Sequence, residues 1–356
     1  MTYRSLVLIA VAGVLAACSP PRGQTATADA AQSVAVTPPT RPKVSQAEGT
    51  FVLASPLACT VGKDCFIQQY VDHDPAKDTA SDYTCGHAVY DGHDGTDFRL
   101  PDKAAQVRGV AVLAVAPGVV IGLRDGEPDF AVGAFSQAAV DMDKACGNGV
   151  VIGHAGGWQT QYCHMRQGSV KVAKGQQVSA GMPLGLVGQS GDAQFVHLHL
   201  TVRHNGKPVD PFGTADACSG AAATTLWAPA LRDQMAYAGR QVLNIGFAAG
   251  PVAMDDIERG GIAAPVRSSP ALVLFVRAID LRQGDVQTVT LYGPDGQPRA
   301  VSEVPALDRD KAQYMLFAGE KLKGATWTSG RYRGVYQVTD SAGRVVVRRE
   351  ATLPLP

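Results

Sequence analysis

The chain has 356 residues, 46% of them hydrophobic and 18% charged, which is folded material and enough for about two domains. Its 32 Lys and Arg balance 32 Asp and Glu, so it lacks the basic surplus through which proteins bind nucleic acid.

The N-terminus carries an export signal. MTYRS holds one positive charge, and the apolar run LVLIAVAGVLA that follows has the length of a signal h-region and is short for a membrane span. It closes on Leu15-Ala16-Ala17-Cys18, which resembles the lipobox of bacterial lipoproteins, with cleavage after residue 17 and acyl chains on Cys18. The plainer alternative is a secretory leader followed by an incidental cysteine. Losing Arg4 with the leader leaves 31 basic against 32 acidic residues, a charge of minus one. Ser19, where an aspartate would retain the protein in the inner membrane, points by the same resemblance to the outer membrane. The expected location is periplasmic, anchored by lipid on Cys18 in a Gram-negative envelope. Residues 18–48, rich in Pro, Ala, Thr and Ser and without hydrophobic period, read as a flexible tether.

Residues 49–218 read as an all-β domain. GVAVLAVAPGVVIGL, GVVIGH, QTQYCHM, PLGLVG and FVHLHLTV are short, β-branched runs punctuated by glycine, with a long loop over residues 124–145. Apart from Cys18, the cysteines are Cys59, Cys65, Cys85, Cys146, Cys163 and Cys218, all in this stretch. An even number in an exported chain implies up to three disulfides. Cys146 precedes the strand GVVI, which GGW joins to QTQYCHM through a hairpin-like turn, so Cys146–Cys163 is the first expected bridge. Residues 219–264 read as a connector in which TTLWAPALRDQMAY forms a short helix. Residues 265–356 carry alternating strands, in ALVLFVRAIDL, VQTVTLYGPDG, SGRYRGVYQVTD and GRVVVRREATL, and read as a small immunoglobulin-like β-sandwich. None of the 8 histidines lies beyond His204, so the chemistry is expected in the first domain.

Successive side chains of a strand point to opposite faces. In FVHLHLTV, Val196, Leu198, Leu200 and Val202 therefore make a core face, and His197, His199 and Thr201 the other. Two imidazoles aimed into one volume point to a metal site; the alternative is decoration of a half-buried strand. In DGHDGTDF, His93 and Asp97 share a face of an extended segment, imidazole plus carboxylate is zinc-ligand chemistry, and Gly95 leaves room for a close approach. The alternative there is an Asp- and Gly-rich turn with an incidental histidine. In QTQYCHM, alternation puts Thr160, Tyr162 and His164 on one face and Gln161, Cys163 and Met165 on the other. Cys163 is then expected to point away from any site that His164 joins. His73, His87, His154 and His204 sit in polar, loop-like contexts and are expected to be exposed.

Taken in order, H-x-G-x-D, then GNGVVIGHAGGWQTQYCHM, then KGQQVSAGMPLGLVGQSGDAQFVHLHLTVRHNGKPVDP resemble the lysostaphin-like (LytM-type) zinc metallopeptidases, bacterial enzymes that cut peptide bonds in peptidoglycan. The resemblance covers about residues 88–212. It implies an antiparallel β-sheet peptidase domain with His93, Asp97 and His199 as Zn2+ ligands, and His164 and His197 as catalytic histidines that do not bind the metal. It also implies peptidoglycan peptide as the substrate. His197 is the expected acceptor of the water proton and His164 the stabiliser of the oxyanion, roles that remain exchangeable at this point. Met165 stands where the family often has leucine, and Leu200-Thr201 where it often has Phe-Glu, so Thr201 replaces a carboxylate that could support a ligand. Two other readings remain: a non-catalytic module that binds peptidoglycan or activates other wall hydrolases, and a two-histidine, one-carboxylate iron oxygenase. The iron reading fits poorly, because such sites typically use H-x-D/E spacing where this chain has His93 and Asp97 four apart, and because an oxidising, cysteine-rich exported chain is a poor home for Fe(II).

Overall fold

The computed structural model describes residues 51–136, 140–213 and 225–356. The leader, Cys18, the tether and Cys218 lie outside these. Among the described residues no helix is long and apolar enough to cross a membrane. The architecture is mostly β, with antiparallel sheets.

The first module contains β1 (Phe66–Gln69), β2 (Thr96–Arg99), the short helix α1 (Lys103–Arg108), β3 (Ala111–Leu113), β4 (Gly118–Arg124), β5 (Asn148–Gly153), β6 (Trp158–Met165), β7 (Gln177–Val178), β8 (Pro183–Leu186), β9 (His197–His204) and β10 (Lys207–Pro208). One antiparallel sheet runs β1-β2-β9-β6-β5-β4-β7, with β10 on β9. β9 lies inside the sheet, between β2 and β6, with an apolar inner face: Val196, just before it, Leu198 and Leu200 are 0% exposed and Val202 1%. Each such side chain contributes about 1.5–3 kcal/mol on burial, so this strand is a stiff platform. Phe98 of β2, Tyr162 of β6 and Val150 and Ile152 of β5 join the same core, which the small β3-β8 sheet and Trp227 also cover. The opposite face of β2, β9 and β6 is left to carry polar side chains.

Cys146–Cys163 and Cys59–Cys65 are disulfides. The bridge between Cys146 and Cys163 is the expected one. It ties the loop entering β5 to the end of β6, beside the polar face.

TTLWAPALRDQMAY does not form an α-helix over its described residues. Pro229–Leu231 make a single 3-10 turn, and Trp227 and Met235 are buried in the first module's core at 1% and 3% exposure. Leu53 pairs with Trp227, so the segment is held as a strap by side chains that a free helix would turn to solvent.

The second module holds β11 (Gln241–Ala248), α2 (Met254–Arg259), β12 (Ala271–Leu281), β13 (Val286–Tyr292), β14 (Pro298–Val304), β15 (Lys311–Lys321), β16 (Gly330–Thr339) and β17 (Val345–Leu355). Sheets β11-β12-β15 and β14-β13-β16-β17 share one core, in which Leu272, Leu274 and Val276 meet Val289, Leu291 and Tyr336. β11 pairs along β12, so this module takes in residues from the stretch expected to be a connector. The two modules are bonded together. Gln241 donates to the carbonyl of Ile67 at 2.7 Å, Asn244 to Asp102 at 3.1 Å and Arg99 to Glu258 at 3.0 Å, while Phe66, Leu243 and Ile279 pack together. Arg277, 0% exposed, reaches both Glu258 and the carbonyl of Pro101.

Candidate metal centre and active site

Register brings the site together. β2 and β9 pair antiparallel with Asp97 opposite His199 and Arg99 opposite His197, so these four side chains emerge on the polar face. β6 sets Cys163 opposite His199 and Gln161 opposite Thr201. His93 arrives from the turn before β2.

His93 Nε2, Asp97 Oδ1 and His199 Nδ1 converge. The His93–Asp97 separation is 3.3 Å, His93–His199 is 3.1 Å and His199–Asp97 is 3.0 Å. A tetrahedral ion about 2.0 Å from its ligands needs donors about 3.3 Å apart. Two neutral nitrogens and one carboxylate oxygen at these spacings fit a divalent metal, and His93 and Asp97 are each 2% exposed.

The outer contacts decide which nitrogen of each ring is free. A carbonyl oxygen can only accept, so the proton sits on the nitrogen facing it. His93 Nδ1 donates to the carbonyl of Tyr70 at 2.5 Å, leaving Nε2 as the ligand. His199 Nε2 faces Asp94 Oδ1 at 3.2 Å and Thr201 Oγ1 at 3.0 Å, leaving Nδ1 as the ligand. Burial alone would push the His199 imidazole down; hydrogen bonds and charge from Asp94 and Asp97 lift it to about 9. Burial would likewise raise Asp97, but the charges of His93 and His197 outweigh it and hold the carboxyl well below the usual range.

Asp94 went unread in the sequence. It supplies the carboxylate support that Thr201 had seemed to remove, and Arg203 holds it at 2.8 Å while also donating to Gln161 at 2.7 Å. The one signal for Asp94 in the chain is that it adjoins His93. Gly95 is required as expected, since a Cβ there would lie 2.5 Å from His199 Nε2.

His164 and His197 stand beside the triad, with ring centroids 4.6 Å apart. His164 Nδ1 donates to the carbonyl of Ser190 at 2.8 Å and His197 Nδ1 to that of Phe195 at 2.9 Å, so each keeps an acceptor at Nε2. His197 Nε2 lies 3.5 Å from Asp97 Oδ1. Burial depresses both imidazoles, and the neighbouring charges of His197 and His199 drive His164 well below the ordinary value.

The faces expected for β6 need correction. Cys163 does not point away from the site: Gln161, Cys163 and His164 all line one cavity with His199 and Thr201. The strand alternates as expected up to Cys163, and Thr160 and Tyr162 are in the core. His164 then takes φ 61°, in the left-handed region, which breaks the alternation and swings its ring to the site face. A non-glycine residue in that conformation costs free energy, and strain of this kind gathers at functional sites.

The expectation for the remaining histidines also changes. His73 binds the buried Asp210 at 2.8 Å, His154 lies between Pro117 and Thr160, and His204 stacks on Trp158 at 4.3 Å; none is exposed. Each has a packing partner distant in sequence. Only His87 of the four is exposed.

Residues 91–211 match Peptidase family M23. The chain is 33% identical over 125 residues to cell division protein DipM of Caulobacter vibrioides, covering 33% of this chain and 17% of that protein. It is 32% identical over 118 residues to peptidoglycan DD-endopeptidase ShyA of Vibrio cholerae, covering 33% and 22%. Over 69 residues it is 41% identical to DD-carboxypeptidase/endopeptidase Mpg of Neisseria meningitidis, covering 19% and 15%. The chain thus spans less than a quarter of the length of these relatives. A zinc-containing peptidase from Vibrio cholerae aligns in structure at 27% identity with a TM-score of 0.26, over 40% of this chain and 38% of that one.

Proposed function

We propose that this chain, whose residues 91–211 match Peptidase family M23, is a zinc-dependent endopeptidase that hydrolyses peptide cross-links of bacterial peptidoglycan. We further propose that it works from the periplasmic face of the outer membrane, anchored through lipid on Cys18. One observation carries the catalytic reading. Three ligand atoms converge at tetrahedral spacing, and two more imidazoles present unprotonated nitrogens on the same face.

Zinc held by His93, Asp97 and His199 would supply Lewis acidity to the scissile carbonyl and lower the pKa of water. Three protein ligands leave a coordination position open for chemistry. His197 is the better proton acceptor, because Asp97 beside its Nε2 compensates the charge it gains. The one proton of neutral His164 lies on Nδ1, which donates to the carbonyl of Ser190, so its Nε2 would accept a hydrogen bond from water. A role for His164 as oxyanion donor would require it to be charged, which its burial opposes. Asp94 and Tyr70 keep both ligand rings in the tautomer that binds.

A complete set of ligands and bases argues against a scaffold that never cuts. The substrate bond that suits a Gram-negative envelope is the direct D-Ala to diaminopimelate cross-link. The test is digestion of purified sacculi by zinc-loaded protein, read by mass spectrometry. New cross-link cleavage products are expected. A zinc-loaded protein that yields none would overturn the enzyme reading in favour of the scaffold, and a protein that takes up no zinc at micromolar concentration would overturn the metal centre.

A further inference from the structure

Two cavities adjoin beside the metal triad. One, of about 370 Å3, is lined by Asp97 and His197. The other, of about 320 Å3, shares Gln68, Gln194, Phe195 and Ala312 with it and continues beneath the second module. Its walls come from both modules: Arg99 and Gln189 from the first, Glu258 of α2 and Gln313 of β15 from the second.

Nine buried side-chain atoms lack a hydrogen-bond partner among the described residues, and four of them belong to this cavity. They are Arg99 Nε, Gln189 Oε1, Glu258 Oε1 and Gln313 Oε1. Buried polar groups in folded proteins are almost always paired, so a cluster of unpaired ones around an opening marks a place where something else supplies the partners. These groups cannot easily turn away. Arg99 is 2% exposed, donates to Gln68 at 2.5 Å and Glu258 at 3.0 Å, and lies over the Phe195 ring at 4.3 Å. The other oxygen of Glu258 is taken by Arg99 and Arg277.

The character of the partner follows. Arg99 and Arg277 both face Glu258, and Asp255 also lines the cavity, so two positive and two negative groups balance and a carboxylate or an amine gains little there. What remains is one N–H and three acceptors; Gln313 can turn its carboxamide to present either group, while Gln189 keeps its oxygen towards the cavity because its Nε2 donates to the carbonyl of Ala193 at 3.1 Å. Successive peptide groups, each with one N–H and one C=O, match this. Gln68, Gln69 and Gln194 extend the same carboxamide lining to the metal site.

We propose that the second module is a wall of the substrate cleft. It holds an extended peptide segment on one side of the cleaved bond, through Gln313 and Glu258 acting with Arg99 and Gln189. This rests on the reading of the metal centre as a peptidase site, and it makes the second module a determinant of which peptide fits.

The test uses the full chain, zinc-loaded and carrying His197→Ala to stop turnover, titrated calorimetrically with cross-linked disaccharide-tetrapeptide dimer prepared from sacculi. Ala312 is exposed at the junction of the two cavities. Adding Ala312→Trp should therefore leave folding and zinc content unchanged and raise Kd at least tenfold. Gln313→Ala should raise it about three- to tenfold. The disaccharide without peptide should not bind. Equal Kd in all three proteins, or no binding of the dimer at millimolar concentration, would overturn the proposal. Whether the chain with His197 intact cleaves the dimer is scored separately, so failure of the peptidase reading leaves the cleft decided by the Kd values.

Discussion

Asp94→Ala is the sharpest probe of how the metal centre is supported. In the native site His199 Nε2 has two acceptors, Asp94 Oδ1 at 3.2 Å and Thr201 Oγ1 at 3.0 Å. Removing Asp94 leaves the hydroxyl, so the tautomer survives and the anionic partner is lost. Loss of such an outer partner weakens metal binding about 10–100-fold. Asp94 is 42% exposed and Thr201 remains, which places the effect at the lower end, about tenfold or about 1.4 kcal/mol. Asp94→Asn should weaken it less, since its carboxamide oxygen still accepts. Arg203 keeps its bond to Gln161, so folding should hold. The assay is competition against a chelator of known zinc affinity at pH 7.5, with the melting temperature of the metal-free proteins as a check on folding. A zinc Kd within twofold of wild type in Asp94→Ala, with unchanged melting, would refute the argument that this carboxylate orients and strengthens His199.

Two further outcomes follow from the same geometry. His199→Ala should lose zinc and turnover together, while His197→Ala should keep one zinc per chain and lose turnover; equal zinc loss in both, measured by atomic emission, contradicts the division between ligand and base. Asp82, 0% exposed, accepts from Thr84, Gly86, Ala88 and the Tyr237 hydroxyl. Burial would raise its carboxyl, but these bonds outweigh it and lower the value. The folded state therefore favours the charged form, so the stabilisation is complete above the ordinary carboxylate pKa of about 3.9 and fades as pH falls through the lower folded value. Asp82→Asn turns one acceptor into a donor against buried donors and should cost about 2 kcal/mol at pH 7. The gap in melting temperature from wild type should narrow below pH 4, and a gap equal at pH 7 and pH 3 would count against the carboxylate as its origin.

Much of this protein could be read from the chain because the signal was local. The two-residue period of FVHLHLTV separates Val196, Leu198, Leu200 and Val202 from His197 and His199 in any strand, whatever lies beside it. Four-residue spacing across Gly95 likewise keeps His93 and Asp97 together. ALVLFVRAIDL coincides with β12, since its unbroken apolar run has no other way to be buried. Where the local signal is weak, the sequence does not show the element. β14 and β15 mix charged and apolar residues and were not picked out, and TTLWAPALRDQMAY has helical composition overridden by the burial of Trp227 and Met235.

Tertiary structure decided the rest, and the reason is that partners distant in sequence set it. A single backbone dihedral at His164, stabilised by Ser190 and the Cys146–Cys163 hairpin, placed two neighbouring residues on one face, where alternation placed them on two. Asp94 became a support for His199 only once β2 and β9 came into register across about a hundred residues of chain. The cavity between the two modules needs Arg99, Gln189, Glu258 and Gln313, which no spacing rule connects. The sequence alone determined the ligand types and the strand that carries them, because those depend on residues a few positions apart. The orientation of the His164 and His197 rings and the second module's place beside the cavity depend on which strands meet, and only the folded chain brings those together.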